Sequence, residues 1–307
     1  MAAPTLLAVP NVSEGRSQAS IDAIAAAFRS VPDAATRLLD IHTDADHHRS
    51  VFTLAGAPGE LSQSLLCGAR AAVELIDIVT ASSEDADERQ HPHIGALDVA
   101  PIVYFTPERR GAACAEAMVV ADRIGQELQV PVFLYGELTG SDSQPARSRA
   151  ELRRGGVAGL AQRMADSQAL LKPDFGPTRM HPSAGATLVA ARPPLVAFNV
   201  QLAPPATLDD ARGISALIRD GGTHGLPGVR AIGVLLDGHV AQVSMNVERP
   251  FDVSLAEVVQ AVRVHHEVAS AELVGLAPAA AFEGFPADLP IPGFDPARHL
   301  IENALGC

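Results

Sequence analysis

The chain has few aromatic side chains and no long apolar run. Tryptophan is missing, and Phe and Tyr make up 4% of the 307 residues, yet hydrophobic residues reach 47%. The cores must therefore consist of Ala, Val, Leu and Ile, as in a mixed α/β protein. No apolar run approaches the roughly 20 residues that cross a bilayer, and Met1 to Val9 carry no basic residue. We expect a cytoplasmic protein without a membrane partner.

The sequence also lacks clustered positive charge and paired cysteines. Its formal net charge is -13, and no Lys/Arg cluster offers the cationic stripe that a phosphate backbone requires. The three cysteines, Cys67, Cys114 and Cys307, are far apart in sequence, and the first two lie in apolar, helix-like surroundings, which predicts buried thiols in a reducing compartment. These absences argue against a nucleic-acid partner and against a disulfide framework.

Three catalytic and cofactor motifs are absent. The sequence contains no Gly-x-Ser-x-Gly elbow, no P-loop and no Gly-x-Gly-x-x-Gly after a strand. The sequence therefore contains no motif that indicates a serine nucleophile or a nucleotide cofactor. General acid/base chemistry by histidine is the class of reaction that remains.

The length and the order of the predicted elements indicate two domains of one topology. Each half has the order β-α-β-β-α-β, and the first half carries an additional helix and strand. The predicted strands are Thr5–Val9, Arg37–Ile41, Ser50–Leu54, Val99–Phe105 and Val130–Tyr135, then Leu195–Leu202, Val229–Leu236, Val240–Asn246 and Ala271–Leu276. We predict an α/β (α+β) fold of two tandem ferredoxin-like subdomains, residues 1–180 and 181–307, with a ligand cleft between them.

The stretch Gln90–Ala96 is the first candidate for chemistry. His91 precedes a proline, which restricts the backbone that carries its titratable ring. Gly95 follows shortly afterwards and, because it has no side chain, lets another group come close to the backbone. A solvated loop histidine is the alternative interpretation. His91 is the candidate acid/base residue.

A second group of histidines lies in the loop that follows the second predicted strand. His42, His47 and His48 accompany Asp44 and Asp46 there. Together with His91 and His93 these imidazoles could hold a divalent metal, but the sequence has no His-x-x-x-His on a helix and no paired-cysteine motif. The pattern favours a solvated polar loop over a metal site. On an acidic protein an anionic ligand needs local positive charge, for which Arg49, Arg179 and Arg192 are candidates.

The segment Lys172–Gly185 separates the two halves. Its three prolines and two glycines exclude a regular helix. Either it is an ordered wall of the binding site or it is a stiff linker without a ligand.

Several collinear stretches resemble the glutamate formimidoyltransferase family. They span most of the chain: Val9–Arg16, Asp44–Thr53, His91–Val99, Val132–Glu137, Lys172–Gly176, Ala184–Thr187, Ala197–Val200 and Ala241–Asn246. The resemblance implies transfer of a formimidoyl group from N-formimidoyl-glutamate to N5 of tetrahydrofolate, which is a co-substrate. It also implies two ferredoxin-like subdomains in a homodimer, no metal, and no cyclodeaminase domain within this chain.

The resemblance also assigns residues. It makes His91 the catalytic acid/base group. It assigns folate binding to Gly176, Pro177, Thr178, Arg179, Met180, His181, Pro182, Ser183, Ala184 and Gly185. Candidates for substrate binding are Asn11, His42, His48, Arg49, His93, Gly95, Asn199 and Gln242.

Three histidines depart from the family pattern. His93 replaces the usual Arg, His48 the usual Asn, and His42 an acidic residue of an animal relative. Losing a bidentate cation would weaken recognition of a glutamate carboxylate, so N-formyl-glutamate or another formimidoyl amino acid is an alternative donor. A metal-dependent hydrolase built on the histidines and a non-catalytic folate-binding protein are the two competing hypotheses.

Overall fold

The structure is a computed structural model that describes residues 5–31, 35–80, 93–140, 146–166, 171–236 and 239–306. The chain divides into two compact units, Met1–Pro193 and Pro194–Cys307. This division falls after the predicted boundary at 180/181, because a strand at Thr187–Arg192 belongs to the sheet of the first unit. The assignment of the units as formimidoyltransferase subdomains stays a prediction.

The described part of the first unit contains a seven-stranded mixed sheet. Its strands are β1 (Leu6–Ala8), β2 (Asn11–Val12), β3 (Arg37–Asp44), β4 (Arg49–Gly56), β5 (Leu97–Val103), β6 (Val132–Leu134) and β7 (Thr187–Arg192). The order is β1-β4-β2-β5-β7-β6, with β3 paired to β4 and β1 also paired to β5. Strands β1 to β5 pair antiparallel, whereas β7 is parallel to both of its neighbours. The last strand of the unit thus lies between β5 and β6.

Apolar residues cover both faces of this sheet. Along β7, Val189 and Ala191 belong to one buried cluster, and Leu188 and Ala190 belong to another. Since alternate side chains of a strand point to opposite faces, the two clusters lie on opposite sides. The first cluster takes in α1 (Gln18–Phe28), α2 (Leu61–Leu75) and α3 (Arg110–Glu127). The second takes in α4 (Arg149–Arg153) and α5 (Gly156–Ala165).

Helix α2 begins under a buried carboxylate from another helix. Its N-cap residue, Glu60, makes no side-chain capping bond. Instead, Glu116 of α3, 4% exposed, accepts hydrogen bonds from Gly59 N at 2.5 Å and Ser62 N at 2.7 Å. An anion at this end satisfies N–H groups that have no partner within the helix and complements the helix dipole.

The second unit contains a four-stranded antiparallel sheet in the order β11-β8-β10-β9. Its strands are β8 (Val196–Leu202), β9 (Val229–Leu236), β10 (Val240–Val247) and β11 (Val268–Val274). The helices are α6 (Leu208–Ile218), α7 (Leu255–Arg263), α8 (Pro296–His299) and α9 (Ile301–Leu305). Capping boxes start α6 at Thr207 and α7 at Ser254. Alternate strand residues pack with α6 and α7 in one apolar core.

The predicted elements agree with most of these bounds, and the two sheets confirm a mixed α/β protein. The helical stretch within Arg147–Arg163 is divided into α4 and α5, because Gly155 adopts φ 77° between them. Strand β7 was not predicted. Asp237 and Gly238, between β9 and β10, lie outside the described residues, so the hairpin turn that an Asp-Gly pair favours there stays a prediction. Within the described ranges, no helix is both long and apolar enough to span a membrane.

Candidate functional site

Three segments that are distant in sequence meet around the ring of His93. This side chain is 5% exposed. Its Nδ1 lies 3.1 Å from Ser13 Oγ, in the segment after β2, and its Nε2 lies 3.2 Å from the carbonyl oxygen of His47. Ser13 Oγ also donates to the carbonyl oxygen of Gly95 at 2.7 Å. The two histidine-containing stretches are therefore in direct contact.

These contacts define the role of the His93 ring. Nε2 lies against a carbonyl, which can only accept, and Nδ1 lies against the hydroxyl of Ser13. Both nitrogens face protein groups, so the ring braces the segment that follows His91 instead of presenting a nitrogen to a ligand.

A buried carboxylate holds the same segment from the other side. Asp98, 2% exposed, accepts a hydrogen bond from Ile94 N at 2.9 Å through Oδ1. Its Oδ2 forms an ion pair with Arg153 of α4. A buried ion pair is costly to break from one side, because the remaining charge would be left uncompensated. Asp98 and Arg153 therefore fix the position of residues 94 and 95.

The loop between β3 and β4 is closed by a buried acid–imidazole pair. Asp44 Oδ2 lies 2.5 Å from His47 Nδ1, and Asp44 Oδ1 accepts from His47 N at 2.9 Å. Burial would raise the pKa of Asp44, but the hydrogen bonds from His47 and the charges of His47 and Arg49 outweigh it, and the pKa falls to about 2. The carboxylate thus stays charged at any physiological pH.

The other candidates of the first unit lie close by in the sheet. Asn11 in β2 pairs with Val51 of β4 and with Val99 of β5. Arg49 begins β4 opposite Asp44, and His42 in β3 is half-buried opposite Val51. His48 has a left-handed backbone, φ 49°, and within the described residues its buried Nδ1 has no hydrogen-bond partner. This conformation is strained for any residue with a Cβ atom.

Glycines allow the segment 171–185 to lie directly against the sheet and α3. A Cβ on Gly176, φ 79°, would lie 2.6 Å from Val130 O and 2.9 Å from Gly125 Cα. A Cβ on Gly185, φ 71°, would lie 2.2 Å from Ile94 O, and one on Gly95 would lie 1.9 Å from Ala186 O. Only glycine permits both the positive φ and the close backbone approach. The predicted folate segment therefore contacts the segment that follows His91.

The end of this segment is a tight turn. His181 N donates to Gly185 O at 3.1 Å, and Gly185 N donates to His181 O at 3.3 Å. At the tip, Ser183 O accepts from Ile78 N at 2.9 Å. The ring of His181 accepts at Nδ1 from Ala184 N at 2.9 Å, and burial lowers its pKa. Thr178, Arg179 and Pro182 are exposed, Gly176, Pro177, Met180, His181 and Ser183 are half-buried, and Ala184 and Gly185 are buried.

The second-unit candidates lie on the sheet face that is opposite to the core. Asn199 of β8, 3% exposed, donates to Glu272 Oε2 and accepts from Ser244 Oγ, both at 2.8 Å. In the next row Gln242 pairs with Gln201, and its side chain is fully buried. Within the described residues, neither Oε1 nor Nε2 of Gln242 has a hydrogen-bond partner. A buried amide without partners is costly, so a bound water or ligand would stabilise it.

Sequence reasoning missed several residues that shape this region. His91 lies outside the described residues, so its catalytic role stays a prediction. Ser13, Asp98 and Arg153 were not among the candidates, although Ser13 and Asp98 lie in stretches that carry the family resemblance. A charged residue at the start of an apolar strand was the available signal for Asp98.

In the described ranges, no three His, Cys, Asp or Glu side chains form a possible metal site.

Comparison with known proteins identifies the family. Residues 5–192 match the model of the formiminotransferase domain, N-terminal subdomain. The chain is 36% identical to glutamate formimidoyltransferase of Streptococcus pyogenes, covering 97% of each sequence. It is 33% identical to the Thermoplasma acidophilum enzyme of that name, covering 78% of this chain and 75% of the relative.

A fused relative matches over part of its length. The chain is 38% identical to formimidoyltransferase-cyclodeaminase of Sus scrofa, with 88% of this chain covered but only 49% of that protein. The chain thus matches about half of the fused protein. Together with the domain match and the full-length similarity to the bacterial relative, this shows that the chain belongs to the glutamate formimidoyltransferase family.

Proposed function

We propose that the protein transfers a formimidoyl group from N-formimidoyl-glutamate to N5 of tetrahydrofolate. The observation that carries the proposal is the junction of three motif-bearing segments, at Ser13, His47 and His93, with the turn 181–185. A site of this kind is assembled by close backbone contacts and buried hydrogen bonds, which hold reacting groups in fixed positions. Family membership supplies the class of reaction.

The proposal includes the finer fold assignment. In the first unit β1, β3, β4 and β5 take the order β3-β4-β1-β5, and in the second unit the order is β9-β10-β8-β11. Both orders correspond to the second, third, first and fourth strands of a βαββαβ motif, all antiparallel. This shared order supports two tandem ferredoxin-like subdomains. The resemblance further suggests a cytoplasmic homodimer.

The chemistry requires one acid/base group. Attack of N5 on the amidine carbon forms a C–N bond and a tetrahedral intermediate. The proton leaves N5, and the glutamate nitrogen departs after it gains a proton. His91 would remove the first proton and supply the second, since an unperturbed imidazole titrates near pH 6.5. The braced segment from His93 to Gly95 would hold this histidine in place.

Each unit by itself contains proposed binding residues. The segment Gly176–Gly185 would bind the folate, with the exposed cation Arg179 near the carboxylates of the substrates. Asn11, His42, His48 and Arg49 in the first unit, and Asn199 and Gln242 in the second, are proposed contacts to the donor or folate. The buried amide of Gln242 is the strongest of these candidates, because it lacks a partner among the described residues.

A second candidate function is the same reaction with another donor. The His93 ring contacts Ser13 and His47 O, so it does not replace the bidentate cation that the family pattern has at this position. A weaker requirement for the glutamate side-chain carboxylate would follow. N-formyl-glutamate and other formimidoyl amino acids are the donors to compare.

A turnover assay tests the proposal directly. Purified protein is incubated with tetrahydrofolate and either N-formimidoyl-glutamate or N-formyl-glutamate, with and without a chelator, and released glutamate is measured. We expect folate-dependent glutamate release that the chelator does not change, and its loss by about a hundredfold or more in His91→Ala. The Ala variant of the exposed His224 is the control and should keep full activity. Folate binding without turnover would support a non-catalytic protein, and chelator-sensitive activity would support the metal-dependent hydrolase.

A further inference from the structure

Two histidine rings of the second unit face each other across a short distance. His224 lies in the loop 219–228 between α6 and β9, and His265 follows α7. His224 Nδ1 is 3.2 Å from His265 Nε2, the ring centroids are 5.2 Å apart, and the ring planes differ by 12°. The fold thus brings together two ring nitrogens from residues that are 41 positions apart in sequence.

The backbone beneath both rings is held by hydrogen bonds of its own. His224 N donates to Leu217 O at 3.0 Å, and His265 N donates to Val262 O at 2.9 Å. The loop is also closely wound, because a Cβ on Gly225 would lie 2.6 Å from the nearest backbone oxygen. The fold therefore sets the positions from which the two rings extend, and the side-chain torsions set the remaining freedom of each ring.

A single proton lies between the facing nitrogens when both rings are neutral. A neutral imidazole has one N–H and one lone pair, so one of the two nitrogens donates to the other. If the donating ring moves its proton to its second nitrogen, both facing nitrogens offer lone pairs. A divalent cation can then take the place of the shared proton, and each ring keeps one proton on its outer nitrogen.

The distance between the nitrogens fits two ligands of one tetrahedral metal ion. With Zn–N bonds of roughly 2.0–2.1 Å, two tetrahedral imidazole ligands lie about 3.3 Å apart. Neighbouring ligands of a square-planar or octahedral ion at similar bond lengths lie about 2.9 Å apart. The observed 3.2 Å is closer to the tetrahedral value. Zn²⁺ accepts imidazole ligands and prefers this geometry.

The charges around the pair are balanced. The loop 219–228 contains one arginine and one aspartate. Arg263, two residues before His265, forms an ion pair with Asp288 at 2.9 Å. The formal net charge of the whole chain is -13, and the field of an acidic protein attracts cations. A divalent cation therefore meets no excess of positive charge in this loop.

We propose that His224 and His265 form a Zn²⁺ site on the second unit, with His224 Nδ1 and His265 Nε2 as its two protein ligands. Water completes the tetrahedral coordination, because the described ranges contain no group of three His, Cys, Asp or Glu side chains that could hold the ion. The exposed ring of His224 leaves room for this water. Neither histidine is assigned to formimidoyl transfer, so the inference is independent of the proposed function.

A Zn²⁺ titration in competition with a chromogenic chelator tests the assignment on the full chain. Substitution of groups that merely orient a metal ligand weakens metal binding by about 10- to 100-fold. His224→Gln and His265→Gln, which remove a ligand, should therefore each weaken the wild-type site at least tenfold. His266→Gln is the control, because His266 Nδ1 faces Glu267 O at 3.0 Å, and it should stay within about twofold. Equal affinity of all four proteins, or loss in His266→Gln alone, would overturn the assignment.

Spectra of the unmodified protein cover the case in which a variant does not fold. In long-range ¹H–¹⁵N spectra of histidine-labelled protein, Zn²⁺ should leave His224 protonated at Nε2 and His265 protonated at Nδ1, since the facing nitrogens then hold the metal. The opposite proton position on either ring would overturn the assignment. So would Zn²⁺ binding that leaves the signals of both rings unchanged, because the ion would then lie elsewhere.

Discussion

The two sheets differ in whether their buried polar groups have hydrogen-bond partners within the protein. In the first unit, Ser13, His93 and Asp98 have protein partners that come from distant parts of the chain. In the second unit, Asn199 is similarly paired, but the fully buried amide of Gln242 has no partner among the described residues. The first arrangement fixes a geometry, whereas the second leaves a buried amide without a hydrogen bond in the described structure.

This difference separates two ways of building a site. A polar group whose hydrogen bonds are all made within the protein is already ordered when the chain has folded. It can therefore hold neighbouring side chains and backbone in fixed positions. A buried group that is not satisfied lowers stability until a ligand or water binds it. Substitutions in the two units should therefore have opposite effects on stability, and the following predictions test that contrast in order of size.

The largest effect should come from the glycine contact between residues 94 and 185. Gly185→Ala places a Cβ 2.2 Å from Ile94 O at φ 71°, and neither backbone can move away easily. We expect a loss of at least about 4 kcal/mol in the free energy of unfolding, measured in urea. In the second unit, Gly213→Ala in α6 meets no atom within 4 Å and should stabilise by about 0.5–1 kcal/mol. Equal, small effects would mean that the contact between 94 and 185 does not matter.

Long-range contacts of this kind could not be predicted from the sequence. Most strands and helices could, because apolar periodicity and capping residues such as Ser17 and Ser254 are local signals. Strand β7 was missed because it follows a proline- and glycine-rich segment and contains mainly small residues.

The site was predicted only in part for the same reason. Family resemblance selected stretches that the structure brings into contact, but the approach of Gly95 to Gly185 spans 90 positions. The tautomer of His181 depends on where Ala184 N points. Both are properties of the folded backbone, and no residue type or spacing encodes them directly.

The next prediction concerns the Asp44–His47 pair. The pKa of Asp44 is lowered from 3.8 to about 2, so the charged carboxylate favours the folded state. This stabilisation is complete above about pH 4 and is lost as the pH falls toward 2, and it amounts to about 2 kcal/mol. Asp44→Asn should therefore destabilise at pH 6 and much less at pH 2.5. Asp209→Asn in the second unit, whose side chain is 93% exposed, controls for the change in net charge. A pH-independent difference would contradict the prediction.

Gln242 should show the opposite sign. Gln242→Leu removes a buried amide without partners in the described structure, so we expect a gain of about 1 kcal/mol in the free energy of unfolding. Gln201→Leu in the same row removes the acceptor of Ser270 Oγ at 2.7 Å and should lose about 1 kcal/mol. Under the proposed function, Gln242→Leu should at the same time weaken substrate binding. Equal destabilisation by both variants would show that Gln242 is already satisfied in the free protein.

The smallest effect is expected at His48, and its control lies in the second unit. His48 and His239 both have left-handed backbones, φ 49° and 67°, which asparagine adopts more readily than histidine. His48→Asn and His239→Asn should therefore each stabilise by roughly 0.5 kcal/mol, measured as the shift of the urea midpoint. If His48 contributes to donor binding, only His48→Asn should also raise KM for the donor. Stabilisation with unchanged kinetics would show that the strain at His48 has no part in the site. Stabilisation with a raised KM would mean that the strain is retained there for binding.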